Sequence, residues 1–173
     1  MRGRWAQGLE PRMFCWVIQD RLAISERPGG YGRNHRKVRR EEELIWLQRH
    51  DFTRILSLLD SPHNLSAYDD AGIAHDRIPL GPPDEEPERL GAVYESIARL
   101  LDDPSARILV HHEDLGDRVL GAVAGYLLYT GAVQTGPHAV TLVERLTGRE
   151  LGAAGREVVA VTLDQNLKRA DAR

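Results

Sequence analysis

The chain has 173 residues, a formal net charge of −3, 28% charged residues and a mean hydropathy of −0.41. That length predicts about one domain with a sizeable core, and that composition excludes disordered and fibrous classes. No apolar run approaches the roughly 20 residues that span a bilayer, and a single cysteine, Cys15, excludes an internal disulfide and a cysteine-based metal cluster.

The opening MRGRWAQGLEPRMFCWV has no apolar stretch closed by a small-residue cleavage site, so no signal peptide is expected and a cytoplasmic location is the default. Residues 1–13 read as an N-terminal extension, 14–165 as one domain and 166–173 as a tail. FCWVIQDRLAIS alternates as two short strands or a hairpin, closed by Arg27-Pro28. Residues 29–40, GGYGRNHRKVRR, predict a mobile glycine-rich loop carrying Arg33, His35, Arg36, Lys37, Arg39 and Arg40. EEELIWLQRH then predicts a helix whose acidic first turn, Glu41, Glu42 and Glu43, suits the positive end of its dipole.

FTRILSLLD is a short apolar run stopped by Ser61-Pro62-His63-Asn64, which predicts a buried strand. LSAYDDAG predicts a short helix ending at Gly72, HDRIPL a strand, and GPPDEEPE a turn-rich loop with solvated acids. In ERLGAVYESIARLLDD the apolar residues at 90, 93, 97, 100 and 101 form one helical stripe. ILV is a buried strand, HHEDLGD a polar loop, and RVLGAVAGYLLYTG a helix apolar nearly all round. Gly121, Ala122, Ala124 and Gly125 would let neighbours pack closely on that helix. PHAVTLVERLTG and GREVVAVTLDQNLKR predict two more helices. Strands alternating with helices predict an α/β fold with a mainly parallel sheet.

The loop after ILV carries the chemistry. Free amides and the dipole make a helix N-terminus attractive to anions. A phosphatase-type loop adds a nucleophile at the strand end and an arginine that clamps two phosphate oxygens. Five residues separate His112 from Arg118, which is that interval.

Here the chain resembles the cysteine-dependent protein tyrosine and dual-specificity phosphatases. Their signature is a strand, His-Cys, five residues and Arg, opening the central helix. His111 matches the histidine and Arg118 the arginine, and the flanking ILV strand and AVAGYLLYTG helix match as well. WVIQDRLAISERPG resembles the family's entry hairpin, FTRILSLLD its next strand, and AVTLVERLTG the helix after the motif. RIPLGPPDEEP resembles the loop that carries a general-acid aspartate, for which Asp84 is the candidate. The resemblance runs over residues 14–151 and implies a single α/β domain with helices flanking a mainly parallel sheet.

The departures from the signature decide the mechanism. His112 replaces the nucleophilic cysteine, Leu115 stands where a glycine is expected with Gly116 displaced by one, and Val119 replaces a hydroxyl residue. The loop also carries Glu113, Asp114 and Asp117. Without a thiolate there is no phosphocysteine intermediate. A phosphate dianion would meet repulsion on the order of 1 to 4 kcal/mol per close carboxylate. The expectation is that these carboxylates occupy the helix-terminal amides and that Asp114 or Asp117 pairs with Arg118.

The reading is a catalytically impaired phosphatase-like protein with a binding or regulatory role, its partner an unidentified protein or phosphorylated ligand. Two alternatives stay open. One is an active phosphomonoesterase with His112 as nucleophile, Arg118 as clamp and Asp84 as acid. It could be assisted by a metal on His111, His112, Glu113, Asp114 and Asp117, since imidazole and carboxylate suit zinc or manganese. The other is a non-catalytic phospho-ligand module using Arg118 and the basic residues of 33–40. No cofactor is expected, nor is nucleic acid, given the negative charge and the lack of a recognised motif.

Overall fold

A computed structural model describes residues 8–81 and 86–170, which build a five-stranded sheet and six α-helices. The strands are β1 (Cys15–Ile18), β2 (Leu22–Ser25), β3 (Arg54–Ser57), β4 (Ala74–Arg77) and β5 (Ile108–His111). Their order is β1-β2-β5-β3-β4, with β1 antiparallel to β2 and every other pairing parallel. This is the α/β class predicted from the alternation of elements. Strand β5 is central and buried at every residue, which is why ILV reads as a continuous apolar run rather than an alternating one. No described helix is long and apolar enough to cross a membrane.

The chain divides into two compact units. The first takes residues up to Pro79 together with Asp103–Leu115, and the second takes Leu80–Asp102 and the residues from Gly116 onward.

The first unit holds the sheet with α1 (Lys37–Arg49) and α2 (Leu65–Asp70). Ala23, Ile55 and Leu109, one from each of three adjacent strands, pack with Leu44 and Leu47 of α1 and Tyr68 of α2. The leucine and isoleucine side chains among them each contribute about 1.5–3 kcal/mol on full burial. Phe14, Trp16, Trp46 and Phe52 extend this core, with Trp16 and Phe52 stacked at 5.5 Å.

Helix α1 begins at Lys37, one turn earlier than its acidic triplet suggests, and it has no acid in its first turn. The reason is a tertiary one. Glu43 points inward, accepting the Gly29 N–H at 2.8 Å and the Arg39 Nε–H, and so ties the loop to the helix. Burial pushes the Glu43 carboxyl up, while the Gly29 amide and Arg39 oppose that shift. A buried charge-assisted bond outweighs the ~0.3–1 kcal/mol that an exposed acid gains at a helix start.

The second unit holds α3 (Glu86–Leu100), α4 (Asp117–Tyr129), α5 (Gly136–Thr147) and α6 (Ala153–Asp164). Leu90, Val93 and Ile97 are buried along the predicted stripe of α3. Helix α4 touches α6 through its glycines. A Cβ on Gly121 would lie 2.4 Å from the Gly155 carbonyl oxygen, and one on Gly125 would lie 2.0 Å from the Tyr94 hydroxyl. Tyr94 is itself bonded to Thr162 at 2.9 Å. One expectation fails here. GPPDEEPE is not wholly a solvated turn, because its Glu86 opens α3 and is buried.

Candidate functional site

In the first unit, β2, β3 and β5 run parallel, so the residues after their C-terminal ends gather at one edge of the sheet, where α/β folds place ligands. His111 ends β5 and is fully buried. Its Nδ1–H donates to the His112 carbonyl at 2.9 Å, which leaves Nε2 to accept the Tyr68 hydroxyl at 2.8 Å. A carbonyl can only accept, so the network fixes the neutral Nδ1–H tautomer. Burial, aided by the nearby Arg27 charge, pushes His111 down to about 4.

The network continues. Asn64, in the left-handed region at φ 72, donates through Nδ2 to the Tyr68 hydroxyl at 3.2 Å and to the Pro28 carbonyl at 2.8 Å. Its Oδ1 accepts from Arg27 Nη2 at 3.2 Å. Arg27 closes the circuit on the loop. Its backbone N–H donates to the Glu113 carbonyl at 3.0 Å, and Nη1 lies 3.4 Å from the Glu113 carboxylate. His112 follows β5 half-buried, Asp114 is exposed, and Leu115 is buried.

In the second unit, Gly116 precedes α4 with extended backbone (φ −79, ψ 175). Asp117 turns to the start of α6, its two carboxylate oxygens accepting the N–H groups of Gly152 at 2.7 Å and Gly155 at 2.6 Å. It is a remote cap: an acid supplied by one helix satisfies the orphan amides of another. Arg118 Nη2 donates to the Gly81 carbonyl at 2.8 Å and to Glu86 Oε1 at 3.1 Å. The Glu86 side chain is 5% exposed.

These placements correct several expectations. Arg118 pairs with neither Asp114 nor Asp117. Its partner is Glu86, because Asp117 is already committed to two amides and Asp114 faces solvent. Glu113 is instead engaged by Arg27, and Asp117 by the amides of α6 rather than those of its own helix. Among the described residues no three His, Cys, Asp or Glu side chains converge as metal ligands would, and in the first unit His111 is committed to Tyr68 and the His112 carbonyl and Glu113 to Arg27. Asp84 lies outside the described residues.

The basic stretch is not one uniform face. Arg33, Arg36 and Lys37 are exposed; Arg36 donates to the Arg33 and His35 carbonyls, and Lys37 pairs with Glu41 at 3.9 Å. Arg39 is taken by Glu43 and Glu26. His35 and Arg40 are half-buried. Burial first, then the charges of Arg27 and Arg40, hold the His35 imidazole below its usual range.

Sequence reasoning missed Arg27, His63, Asn64, Tyr68 and Glu86. Arg27-Pro28 and Pro62-His63-Asn64 read as chain breakers, and their one available signal was position, just beyond strands predicted to be parallel. Glu86 was indistinguishable from its acidic neighbours.

With the strand order, the loop and its helix established, the fold is that of the tyrosine and dual-specificity phosphatases. The chain is similar to kinase-associated phosphatase carrying serine for its catalytic cysteine, at 18% identity and a TM-score of 0.73, covering 90% of this chain and 96% of that one. It is similar to the active form of Tk-PTP at 20% identity and a TM-score of 0.66, covering 88% and 97%. It is also similar to the human tyrosine phosphatase-like serine/threonine/tyrosine-interacting protein, at 16% identity and a TM-score of 0.64, covering 88% and 95%. No protein-family model and no curated protein matches the sequence.

Proposed function

We propose that this chain is a pseudophosphatase of the dual-specificity type, a phosphatase-like protein kept for binding or regulation rather than thiol-phosphate chemistry. The observation that carries the reading is the state of Arg118. The arginine expected to clamp phosphate oxygens is held by the Glu86 carboxylate and the Gly81 carbonyl. A carboxylate satisfies a guanidinium with the same planar geometry that phosphate uses, so the two compete. His112 compounds this, because imidazole lacks the thiolate's nucleophilicity and reach. The solved kinase-associated phosphatase with serine for its catalytic cysteine supports the idea that such a fold stands without the thiol.

The test is hydrolysis of an aryl phosphate, with and without added divalent metals. The wild type is expected to be silent in both conditions. His112→Cys is expected to be silent as well, since restoring the thiol does not release Arg118. Wild-type turnover that disappears in His112→Ala would overturn the proposal in favour of a histidine-based phosphomonoesterase.

A further inference from the structure

Among the described residues, four buried side-chain nitrogens have no hydrogen-bond partner: Arg27 Nε, His35 Nε2, Arg39 Nη2 and Arg40 Nε. All four belong to residues 27–40 of the first unit. Three of the four belong to guanidinium groups, and buried cationic donors without acceptors are rare, because each forfeits its water with nothing in return. Such a concentration in one stretch asks for an acceptor.

The geometry brings three of these residues together. The turn at Gly29 (φ 89) is so tight that a Cβ there would lie 2.7 Å from Arg40 Cβ and 2.9 Å from His35 Nε2. Arg27, two residues earlier, is 7% exposed. Its guanidinium makes only long contacts: His63 Nδ1 at 3.3 Å, Asn64 Oδ1 at 3.2 Å and Glu113 Oε2 at 3.4 Å. Charge-assisted bonds are ordinarily about 2.7–2.9 Å. His63 is exposed, His35 and Arg40 are half-buried and Arg27 is buried, so the group descends from a wet rim to a dry base. Arg39 is neutralised by Glu43 and Glu26, whereas no carboxylate reaches ion-pair distance of Arg40 among the described residues.

We propose that Arg27, His35, His63 and Arg40 form an oxyanion site that takes a phosphate group, with Arg27 at its base and His63 at its rim. A tetrahedral dianion offers acceptors to both guanidinium groups and to the imidazole nitrogens at once. Glu113 is the internal competitor, since its carboxylate sits on Arg27 where the anion would bind. The site uses neither His112 nor Arg118, so it stands or falls apart from the question of turnover.

The full chain is titrated calorimetrically at low ionic strength with inorganic phosphate and, separately, with phenyl phosphate. Saturable binding of inorganic phosphate is expected. Arg40→Ala and His35→Ala should each weaken it by about tenfold or more, the loss of one charge-assisted hydrogen bond. Arg118→Ala should leave it unchanged. Glu113→Gln should tighten it severalfold, a gain that no folding defect can mimic. Equal binding of phenyl phosphate assigns the site to phosphate esters, and binding of inorganic phosphate alone assigns it to the free ion. The proposal is overturned by a wild type that binds neither. It is equally overturned by binding indifferent to Arg40→Ala and His35→Ala, or by binding abolished in Arg118→Ala.

Discussion

Arg118 donates to Glu86 at 3.1 Å across 32 positions of sequence, and the carboxylate it meets is almost entirely buried. In a phosphatase-type loop that guanidinium would be free for a phosphate. Here the guanidinium is engaged by an internal carboxylate and by the Gly81 carbonyl as a second acceptor.

Glu86→Ala should therefore cost stability. Arg118 is 35% exposed and can rehydrate once the pair is gone, so the loss belongs to the lower part of the range for a charged hydrogen bond, about 1–2 kcal/mol. Urea unfolding at neutral pH measures it, with Glu88→Ala as control. Glu88 is exposed two residues along, in the same first turn, and should shift stability by less than about 0.5 kcal/mol. Equal losses in the two variants would refute a specific role for the pair.

Asp117 is a second point where the loop is committed to architecture. Asp117→Ala removes the acceptor for two amides at the start of α6, and a lost cap costs about 0.5–2 kcal/mol. Asp117→Asn keeps one good acceptor and should recover part of that loss. The residual cost reports the charge at the positive end of the helix, and so it should shrink as salt is added.

The elements were legible because their signals are local. Hairpin β1–β2, the apolar β5 and the stripe of α3 all follow from spacing within a few residues. The loop at 111–118 was legible as a place but not as a set of partners. Glu113, Asp117 and Arg118 each find a group far away in sequence, and charge alone does not choose among Arg27, the amides of α6 and Glu86. The same limit moved the start of α1. A rule about acids in the first turn gave way to Glu43 reaching Gly29, a contact made by folding rather than by propensity.

Gly121→Ala tests the packing of α4 on α6. The added methyl would meet Gly155 backbone at 2.4–2.9 Å, and backbone cannot rotate aside as a side chain does. The helices must separate, so the substitution should destabilise by about 1–3 kcal/mol despite alanine's better helix propensity. Gly91→Ala is the contrast. Its methyl would meet only the Leu167 side chain at 3.9 Å, so propensity should win and stability should hold or rise. Urea unfolding of the two variants side by side decides it.

His111 makes the stability of the fold depend on acid. Its folded pKa is held at about 4 by burial, below the unfolded value of 6.5, so folding favours the neutral ring. The contribution is complete above about pH 6.5 and is lost as pH falls towards 4, with a slope of at most about 1.4 kcal/mol per pH unit. His35 is also held low and acts in the same direction, whereas Glu43, pushed up by burial, acts in the opposite one. The readout is thus the difference between curves. His111→Asn, which does not titrate, should lower stability at pH 7.5 and lose less than the wild type between pH 6.5 and 4.5. Tyr68→Phe should also lower stability at pH 7.5, by about 1–3 kcal/mol, because it strips the donor from a buried Nε2. Parallel curves for His111→Asn and the wild type would show that the buried ring is not the group that acid attacks.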